Sequence, residues 1–168
     1  MFDIYFEQKI PTIKLIVFDF DGVFTDNSVH LTEDGKEFVS CWRGDGIGLS
    51  KVKRLTIPMY VVSTEENPVV GQRCQKLKIK YIQGCNDKLK ELVKLVDIYK
   101  CTLDDVLYMG NDINDLDCLN SVGLPVVVAD AHPDVIPLAK YITVAYGGKG
   151  AVREICDLIF NIRTKAVQ

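Results

Sequence analysis

Short apolar runs alternate with segments of helical periodicity along most of this chain, and this alternation restricts its fold more than any other feature. Residues 13–20 form an almost continuous apolar run, which is typical of a strand buried on both faces. Further apolar runs predict strands at 58–62, 106–109, 125–128 and 141–144. Helical spacing predicts helices at 47–55, 69–77, 88–99, 114–119 and 151–162. This order predicts a Rossmann-like, doubly wound α/β fold, in which a mostly parallel sheet carries helices on both faces.

One segment departs from the alternation. Between residues 24 and 42, polar and apolar residues alternate around Asp34-Gly35. An Asp-Gly pair flanked in this way is a hairpin signal, so we expect a β-hairpin that projects from the carboxyl end of the first strand. The length of 168 residues suits one domain. Because no linker or repeat is visible, we predict a single domain over residues 1–168.

The composition argues against several classes of function. The formal net charge is −3, with Lys and Arg spread along the chain, so no nucleic-acid partner is predicted. No apolar run approaches the roughly 20 residues that span a bilayer, and the first residues lack the pattern of a secretory signal, so no membrane partner is predicted. The six cysteines occur singly. This spacing argues against zinc and predicts a reduced, cytoplasmic protein.

Two carboxylates follow the first predicted strand. Asp19 and Asp21 lie two residues apart, so in extended geometry their side chains share a side, and Gly22 permits a sharp turn after them. In parallel sheets, ligands bind beyond the carboxyl ends of the strands. Close carboxylates repel unless a cation or proton lies between them, and magnesium suits such oxygen ligands. An isolated Asp-x-Asp-Gly is equally consistent with a solvated loop, so the rest of the chain must decide.

The segment FDFDGVFTD, residues 18–26, resembles the first signature of the haloacid-dehalogenase-like phosphatases. The resemblance implies that Asp19 is the nucleophile and Asp21 the general acid and base. It also implies that Ser63, after the strand predicted at 58–62, donates to a phosphoryl oxygen, and that Lys88 contacts the phosphoryl group. Taken alone, Ser63 is more typical of a helix cap, and Lys88 of a solvated surface.

The fourth signature of that family resembles Gly110-Asn111-Asp112, which follows the strand predicted at 106–109. The resemblance implies a Mg²⁺ site formed by Asp19, the backbone carbonyl of Asp21 and Asn111, with Asp112 or Asp115 assisting directly or through water. The family usually has Asp where this chain has Asn111. An amide oxygen binds magnesium without a formal charge, so we expect weaker metal binding. The alternative is that Asn111 marks an enzyme that has lost activity.

Further motifs extend the resemblance over nearly the whole chain, among them Asp45-Gly46-Ile47-Gly48 and Gly147-Gly148-Lys149-Gly150. The pattern resembles the capless branch that includes 3-deoxy-D-manno-octulosonate 8-phosphate phosphatases, nonulosonate 9-phosphate phosphatases and the C-terminal domain of some acylneuraminate cytidylyltransferases. This resemblance implies a homotetramer in which hairpins pack together and a neighbouring subunit closes each open site. Asp45 is more typical of a helix cap than of a ligand.

The branch also suggests which residues contact the substrate. Ser63-Thr64-Glu65 resembles the nonulosonate type, so Thr64, Glu65 and Arg73 are candidates for binding the sugar acid, although Glu65 and Arg73 are as typical of a solvated helix face. Gly148 lies in a segment suited either to binding an anion near a helix N-terminus or to a plain turn.

Together these features predict a Mg²⁺-dependent phosphomonoesterase acting on a 2-keto-3-deoxy sugar acid phosphate, with nonulosonate 9-phosphate favoured. The alternatives are a weakly active tetramerisation domain associated with a cytidylyltransferase, and a phosphatase for an unrelated small phosphate. The intact Asp19 and Asp21 pair favours an enzyme, because an assembly role does not need it.

Overall fold

The computed structural model describes residues 4–165. The α-helices are α1 (Ile4–Lys9), α2 (Asp45–Lys53), α3 (Val69–Leu77), α4 (Lys88–Tyr99), α5 (Leu116–Ser121) and α6 (Ala151–Lys165). The strands are β1 (Leu15–Phe18), β2 (His30–Leu31), β3 (Glu37–Phe38), β4 (Met59–Val62), β5 (Lys80–Ile82), β6 (Val106–Gly110), β7 (Leu124–Val127) and β8 (Tyr141–Ile142). Six of these strands form one parallel sheet in the order β5-β4-β1-β6-β7-β8.

The central strand β1 pairs with β4 on one side and with β6 on the other. All residues of these three strands are buried, as their continuous apolar composition predicts. The strands run in the same direction, so their carboxyl ends meet at one edge of the sheet. Asp19, Ser63 and Asn111 each follow one of these strands directly and are therefore brought to the same place.

Helices cover both faces of this sheet. The chain moves from β1 outward to β4 and β5, and then returns across β1 to β6, β7 and β8. Because parallel crossovers are right-handed, the two directions place their helices on opposite faces. On one face α2 packs against α6, whereas α4 packs against α5 and touches β1 and β4. The predicted Rossmann-like, doubly wound α/β fold is confirmed, and its change of direction at β1 marks the expected place for a ligand.

Several predicted elements differ in length from those observed. The strand predicted at 13–20 is limited to Leu15–Phe18, because a 3₁₀ turn at Ile10–Thr12 precedes it and the Phe20 carbonyl already closes a turn by accepting the N–H of Phe24. The strand predicted at 141–144 pairs only over Tyr141–Ile142. The helix predicted at 114–119 becomes a 3₁₀ turn, Ile113–Asp115, followed by α5.

The predicted β-hairpin is present. β2 pairs with β3 in antiparallel fashion, and a bridge between Thr25 and Cys41 joins the two arms at the base. Gly35 occupies the turn with a φ of 78°, a conformation in which glycine is favoured. The hairpin carries exposed apolar side chains: Val29, Leu31 and Phe38 are 54%, 69% and 53% exposed.

Two findings relate to the expectations about cysteines and membranes. All six cysteines are free thiols. Among residues 4–165, no helix combines the length and the apolar character required to cross a membrane.

Candidate active site

A cavity of about 300 Å³ lies at the carboxyl edge of the sheet, beyond the ends of β1, β4 and β6. Its lining consists mostly of polar side chains from the loops that follow these strands: Asp19, Asp21, Asn27, Ser63, Thr64, Asn111, Asp112, Ile113 and Asn114. The structure therefore brings together residues that the sequence places far apart, and most of the predicted site residues are among them.

Lys88 reaches this site from the first turn of α4 and is buried between two carboxylates. Its Nζ lies 2.8 Å from Asp19 Oδ1 and 2.8 Å from Asp115 Oδ1. Burial disfavours the lysine charge, but the attraction of the two carboxylates outweighs it, so the pKa of Lys88 is raised. Lys88 is 4% exposed, which rules out the solvated surface position considered from sequence.

Asp19 is 3% exposed and is held at one oxygen by this lysine. Burial, and then the negative charge of Asp115, raise the pKa of Asp19 to about 7, whereas Lys88 acts in the opposite direction. A carboxylate so placed is poorly hydrated, and a cation beside its second oxygen would favour the ionised form. One oxygen fixed and the other facing the cavity is an arrangement suited to a nucleophile.

Asp115 has a role that sequence reasoning missed, because it holds other site residues in place. Its carboxylate accepts hydrogen bonds from Lys88 Nζ at 2.8 Å, Tyr108 Oη at 2.7 Å, and the backbone N–H groups of Asn111 and Asp112 at 2.8 and 3.3 Å. Both of its oxygens are thus occupied within the protein. The expectation that Asp115 assists at the metal is replaced by a different role, in which it holds Lys88 against Asp19. Tyr108, a tyrosine inside a buried apolar strand, was the available signal for a buried polar partner.

Asp21 follows two residues later and lies at the cavity wall. Gly22 turns the chain with a φ of 77°, and its N–H donates to Thr25 Oγ1 at 3.0 Å. Burial, and then the negative charge of Glu65, raise the pKa of Asp21, although Lys88 opposes this. A raised pKa favours a carboxyl group that retains a proton and can donate it.

Three oxygen atoms converge between these groups. The Asn111 side-chain atom that faces the cavity lies 3.2 Å from Asp19 Oδ2 and 2.8 Å from the Asp21 carbonyl oxygen. If the amide turns its nitrogen here, it donates to both oxygens. If it turns its oxygen here, the three oxygens repel one another unless a cation lies between them.

The spacing of these oxygens provides a test of the predicted metal. Octahedral ligands about 2.0–2.1 Å from Mg²⁺ lie about 2.9 Å from one another, and the two Asn111 distances are 3.2 and 2.8 Å. Residues 4–165 contain no group of three or more His, Cys, Asp or Glu side chains that could hold a metal. The set therefore depends on one carboxylate, one backbone carbonyl and one amide, and it fits a hard cation such as magnesium.

Asp112 and Ser63 complete the cavity wall. Asp112 caps the 3₁₀ turn that begins at Ile113, and its Oδ1 accepts that residue's N–H at 2.7 Å. Ser63 is buried, and its Oγ accepts the N–H of Glu65 at 3.1 Å. A hydroxyl that accepts one hydrogen bond still has its own hydrogen to donate. Ser63 does not cap α3, because Asn67 accepts the N–H of Val69 at the start of that helix.

Known proteins share both the sequence and this arrangement. Residues 71–155 match the family model described as haloacid dehalogenase-like hydrolase. The 3-deoxy-D-manno-octulosonate 8-phosphate phosphatase of Yersinia pestis is 35% identical to this chain over 94% of the chain and 85% of the relative. The chain belongs to the haloacid dehalogenase-like hydrolases. Within this family the similar curated proteins are phosphatases, and the chain is a phosphatase.

Solved structures of this hydrolase family superpose closely on the chain. A family hydrolase from Streptomyces avermitilis is 44% identical, with a TM-score of 0.85 over 88% of this chain and 84% of that one. The 3-deoxy-D-manno-octulosonate 8-phosphate phosphatase of Moraxella catarrhalis, solved with a magnesium ion, a phosphate ion and a KDO molecule, is 32% identical. Its TM-score is 0.90, with 95% of this chain and 92% of that chain covered.

Beside the phosphatase site lies a smaller acidic recess of about 200 Å³ between the hairpin and the segment after β4. Glu37 and Glu65 both line it together with Asp21. Asn67 holds the two glutamates, since its backbone N–H donates to Glu65 Oε1 at 2.7 Å and its Nδ2 donates to Glu37 Oε2 at 3.1 Å. Glu65 therefore lies beside Asp21, while its contact with a substrate stays a prediction, and Glu37 is a neighbour that sequence reasoning missed.

Two other residues predicted to contact the substrate, Arg73 and Gly148, do not line the active-site cavity. Arg73 lines a separate, open groove, and its Nη2 donates to the Trp42 carbonyl at 3.0 Å. Gly148 is buried, and its N–H donates to the Val23 carbonyl at 3.0 Å. The structure does not bring either residue to the phosphoryl site, and the amide of Gly148 already has a partner.

Asp45 also takes a different place from the one expected. It is the first residue of α2, but its side chain does not cap that helix. Its Oδ1 instead accepts the N–H of Arg153 at 3.1 Å, in the first turn of α6. Asp45 is thus a helix cap, as its residue type suggested, for a helix more than 100 residues away.

Proposed function

We propose that this chain is a Mg²⁺-dependent phosphomonoesterase that hydrolyses a 2-keto-3-deoxy sugar acid phosphate through an aspartyl-phosphate on Asp19. The observation that carries the proposal is the buried Asp19 carboxylate, with one oxygen fixed by Lys88 and the other facing Asn111 and the Asp21 carbonyl. Such a carboxylate is oriented for attack and surrounded by groups that suit a phosphoryl oxygen and a cation.

The residues divide the reaction into two steps. In the first, Asp19 forms a bond to phosphorus while the bond between phosphorus and the sugar oxygen breaks, and Asp21 gives its proton to the departing oxygen. In the second, the Asp21 carboxylate takes a proton from the water that attacks phosphorus, and the Asp19 carboxylate is released. The raised pKa of Asp21 supports its first role, because it favours the protonated form that the departing oxygen requires.

Lys88, Ser63 and the proposed metal stabilise charge during these steps. Lys88 Nζ offers a buried positive charge beside the nucleophile, and the Ser63 hydroxyl can donate to a phosphoryl oxygen. Magnesium, when bound at Asp19, the Asp21 carbonyl and Asn111, offsets the negative charge of the phosphoryl group. Asp112 lines the same cavity, and we propose that it contributes to the metal site.

The acidic recess bears on which part of the sugar acid lies near Asp21. Three carboxylates, those of Asp21, Glu37 and Glu65, line it, so a second anionic group of the substrate is disfavoured there by repulsion. Hydroxyl groups suit these acceptors. We therefore place the polyhydroxyl chain of the sugar in the recess and its carboxylate farther away.

The relatives are named for octulosonate 8-phosphate, whereas the Ser63-Thr64-Glu65 pattern favours a nonulosonate 9-phosphate. Both belong to the proposed class of substrate. An assay of phosphate release from KDO 8-phosphate, KDN 9-phosphate and N-acetylneuraminate 9-phosphate separates the two assignments, and Glu65→Arg tests the residue. The preference for nine carbons predicts that this variant shifts activity towards KDO 8-phosphate. An unchanged preference contradicts the role of Glu65.

The proposed mechanism depends on Asp19. We expect Asp19→Asn to abolish Mg²⁺-dependent phosphate release while the circular dichroism spectrum stays unchanged, because the amide is not a nucleophile. Activity that survives this substitution contradicts the assignment of the nucleophile. Absence of any phosphate release from the unmodified protein would instead favour the alternative of an inactive tetramerisation domain.

The exposed apolar side chains of the hairpin support the predicted homotetramer. Val29, Leu31 and Phe38 are each more than half exposed, and exposed apolar groups on one projecting element are characteristic of an interface. A neighbouring hairpin would cover these side chains and narrow the opening of the acidic recess, which Val29 also lines.

A further inference from the structure

The segment Gly147-Gly148-Lys149-Gly150, which precedes α6, lies directly against the loop that carries Asp21. A methyl group added at Gly147 would lie 1.9 Å from the carbonyl oxygen of Gly22 and 2.7 Å from its carbon. One added at Gly148 would lie 2.3 Å from the backbone nitrogen of Asp26. Both distances are far below ordinary contact, so the two backbones approach as closely as only glycine allows.

Gly22 is confined on its other side as well. A methyl group added at Gly22 would lie 2.0 Å from Asn111 Nδ2. The peptide of Gly22 is therefore enclosed between Gly147 and the Asn111 side chain. Since Gly22 directly follows Asp21, displacement of this peptide moves the Asp21 carbonyl relative to Asn111, and these are two of the three groups in the proposed metal set.

The segment that presses on Gly22 is itself firmly held. Gly147 N–H donates to Asp130 Oδ1 at 2.9 Å, and Gly148 N–H donates to the Val23 carbonyl at 3.0 Å. Glu154, in the first turn of α6, accepts the N–H groups of Val144 and Ala145 at 3.0 and 2.9 Å. The first two bonds tie the segment to the turn after β7 and to the catalytic loop, and the bonds of Glu154 tie the residues just before the segment to α6.

We propose that Gly147 is a positioning residue, which sets the separation between the Asp21 carbonyl and the Asn111 side chain through its contact with Gly22. The proposal rests on the proposed function only in so far as those two groups bind Mg²⁺. It assigns the glycine-rich segment a mechanical role rather than a part in binding the substrate, in keeping with the engaged amides of Gly147 and Gly148.

The test is Gly147→Ala, with Gly46→Ala as a matched control. A methyl group at Gly147 must displace the Gly22 carbonyl, whereas one at Gly46 lies 3.1 Å from the end of the flexible Leu77 side chain. Neither glycine has a positive φ, so alanine is tolerated by the backbone itself at both positions. We expect G147A to weaken Mg²⁺ binding by about 10- to 100-fold, the range seen for residues that orient metal ligands, and G46A to leave it unchanged.

Two measurements separate positioning from simple loss of stability. Calorimetric titration with Mg²⁺ alone gives the affinity. The increase in unfolding temperature on adding Mg²⁺ reports the same linkage without any assay of activity. A merely structural defect lowers the unfolding temperature with and without metal alike, whereas a positioning defect reduces the increase that Mg²⁺ produces. An unchanged affinity in G147A overturns the proposal, and an unmodified protein that does not bind Mg²⁺ overturns the proposed metal site instead.

A second pair of variants tests the same contact if G147A fails to fold. Asp130→Ala removes the acceptor of the Gly147 N–H, whereas Asp130→Asn retains an acceptor oxygen and removes only the charge. We expect D130A to weaken Mg²⁺ binding several-fold and D130N to restore it. Equal loss in both variants would show that charge, not position, is what Asp130 supplies, and it would contradict the proposal.

Discussion

At the scale of single residues, Lys88 is the side chain on which both the stability and the chemistry of the site depend. Its single positive charge lies between two buried carboxylates, Asp19 and Asp115, and reduces their mutual repulsion in a poorly hydrated place. Removing one member of a buried ionic group leaves uncompensated charge and costs about 3–5 kcal/mol. The ion is thus needed both for the fold of the site and for its chemistry.

We accordingly expect Lys88→Met to abolish phosphatase activity and to lower the free energy of unfolding by about 3–5 kcal/mol, measured by urea denaturation. Lys94→Met on the same helix is the control. Lys94 pairs with Glu91 at 2.6 Å but is 55% exposed, so its loss should change stability by no more than about 0.5 kcal/mol. Equal losses in the two variants would contradict the buried network.

Asn111 gives a second residue-scale prediction. Asn111→Asp adds a negative charge next to Asp19 Oδ2 and the Asp21 carbonyl, so we expect Mg²⁺ to bind roughly tenfold more tightly. The same charge repels Asp19 when no metal is present, so stability without Mg²⁺ should fall. Calorimetry with and without the substitution measures the first effect, and thermal unfolding in a chelator measures the second. Unchanged or weaker binding would show that Asn111 is not at the metal.

The sequence could predict which site residues follow the strands. It could not predict which buried partners fix those residues in place. Asp19, Ser63 and Asn111 could be predicted because a family resemblance pointed to them and each follows an apolar run, and parallel strands bring their carboxyl ends together. The pairing of Lys88 with Asp115 depends on how α4 and the turn after β6 pack, which no local pattern encodes. The neighbouring glycines in the sequence suggested that Gly148 binds the substrate. Its N–H instead donates to the carbonyl of Val23.

At the scale of the elements, the contact between α2 and α6 encloses a buried acid. Asp45 is fully buried, and its Oδ2 has no hydrogen-bond partner within the described residues. Burial raises the pKa of Asp45 to about 6, although the Arg153 N–H and the charges of Arg73 and Arg153 oppose this. Helix periodicity predicted that both helices exist. It could not predict that Asp45 of α2 caps α6, because this depends on how the two helices are placed relative to each other.

This acid has a consequence for the pH dependence of stability. The folded-state pKa of about 6 lies above the ordinary value of 3.8, so folding favours protonated Asp45. The contribution of Asp45 to the free energy of unfolding is therefore fully present below pH 3.8 and is lost as pH rises through 6. The free energy lost between these two limits is about 3 kcal/mol. We expect Asp45→Asn, which keeps an acceptor for Arg153, to gain stability relative to the unmodified protein as pH rises from 4 to 7. Urea denaturation across this range measures it, and a constant difference would contradict the assignment.

At the scale of the whole molecule, the alternation of apolar runs and helices predicted five of the six strands of the sheet and its layers, but not the edge strand β5, whose residues are only partly buried or exposed. It could not predict how far the hairpin leaves the sheet or what covers it. The hairpin pairs over only two residues on each side, β2 with β3. Its apolar side chains Val29, Leu31 and Phe38 are more than half exposed, so they are not buried as the core residues are. A short two-stranded ribbon is marginally stable by itself, which gives a physical reason for it to pack against another subunit.

Charged substitutions on the exposed apolar side chains of the hairpin test whether it packs against another subunit. Leu31→Lys combined with Phe38→Lys places two charges on side chains that are 69% and 53% exposed, so a protein that uses them only as surface should tolerate the change. If hairpins pack together, burying those charges is unfavourable, and we expect the tetramer to dissociate while each subunit stays folded. Sedimentation velocity measures the mass. Val144→Lys, at a position 84% exposed beyond β8, is the control and should leave the mass unchanged. A tetramer that persists in the double variant would place the interface elsewhere, and reduced phosphatase activity in the dissociated form would indicate that a neighbouring subunit completes the open site.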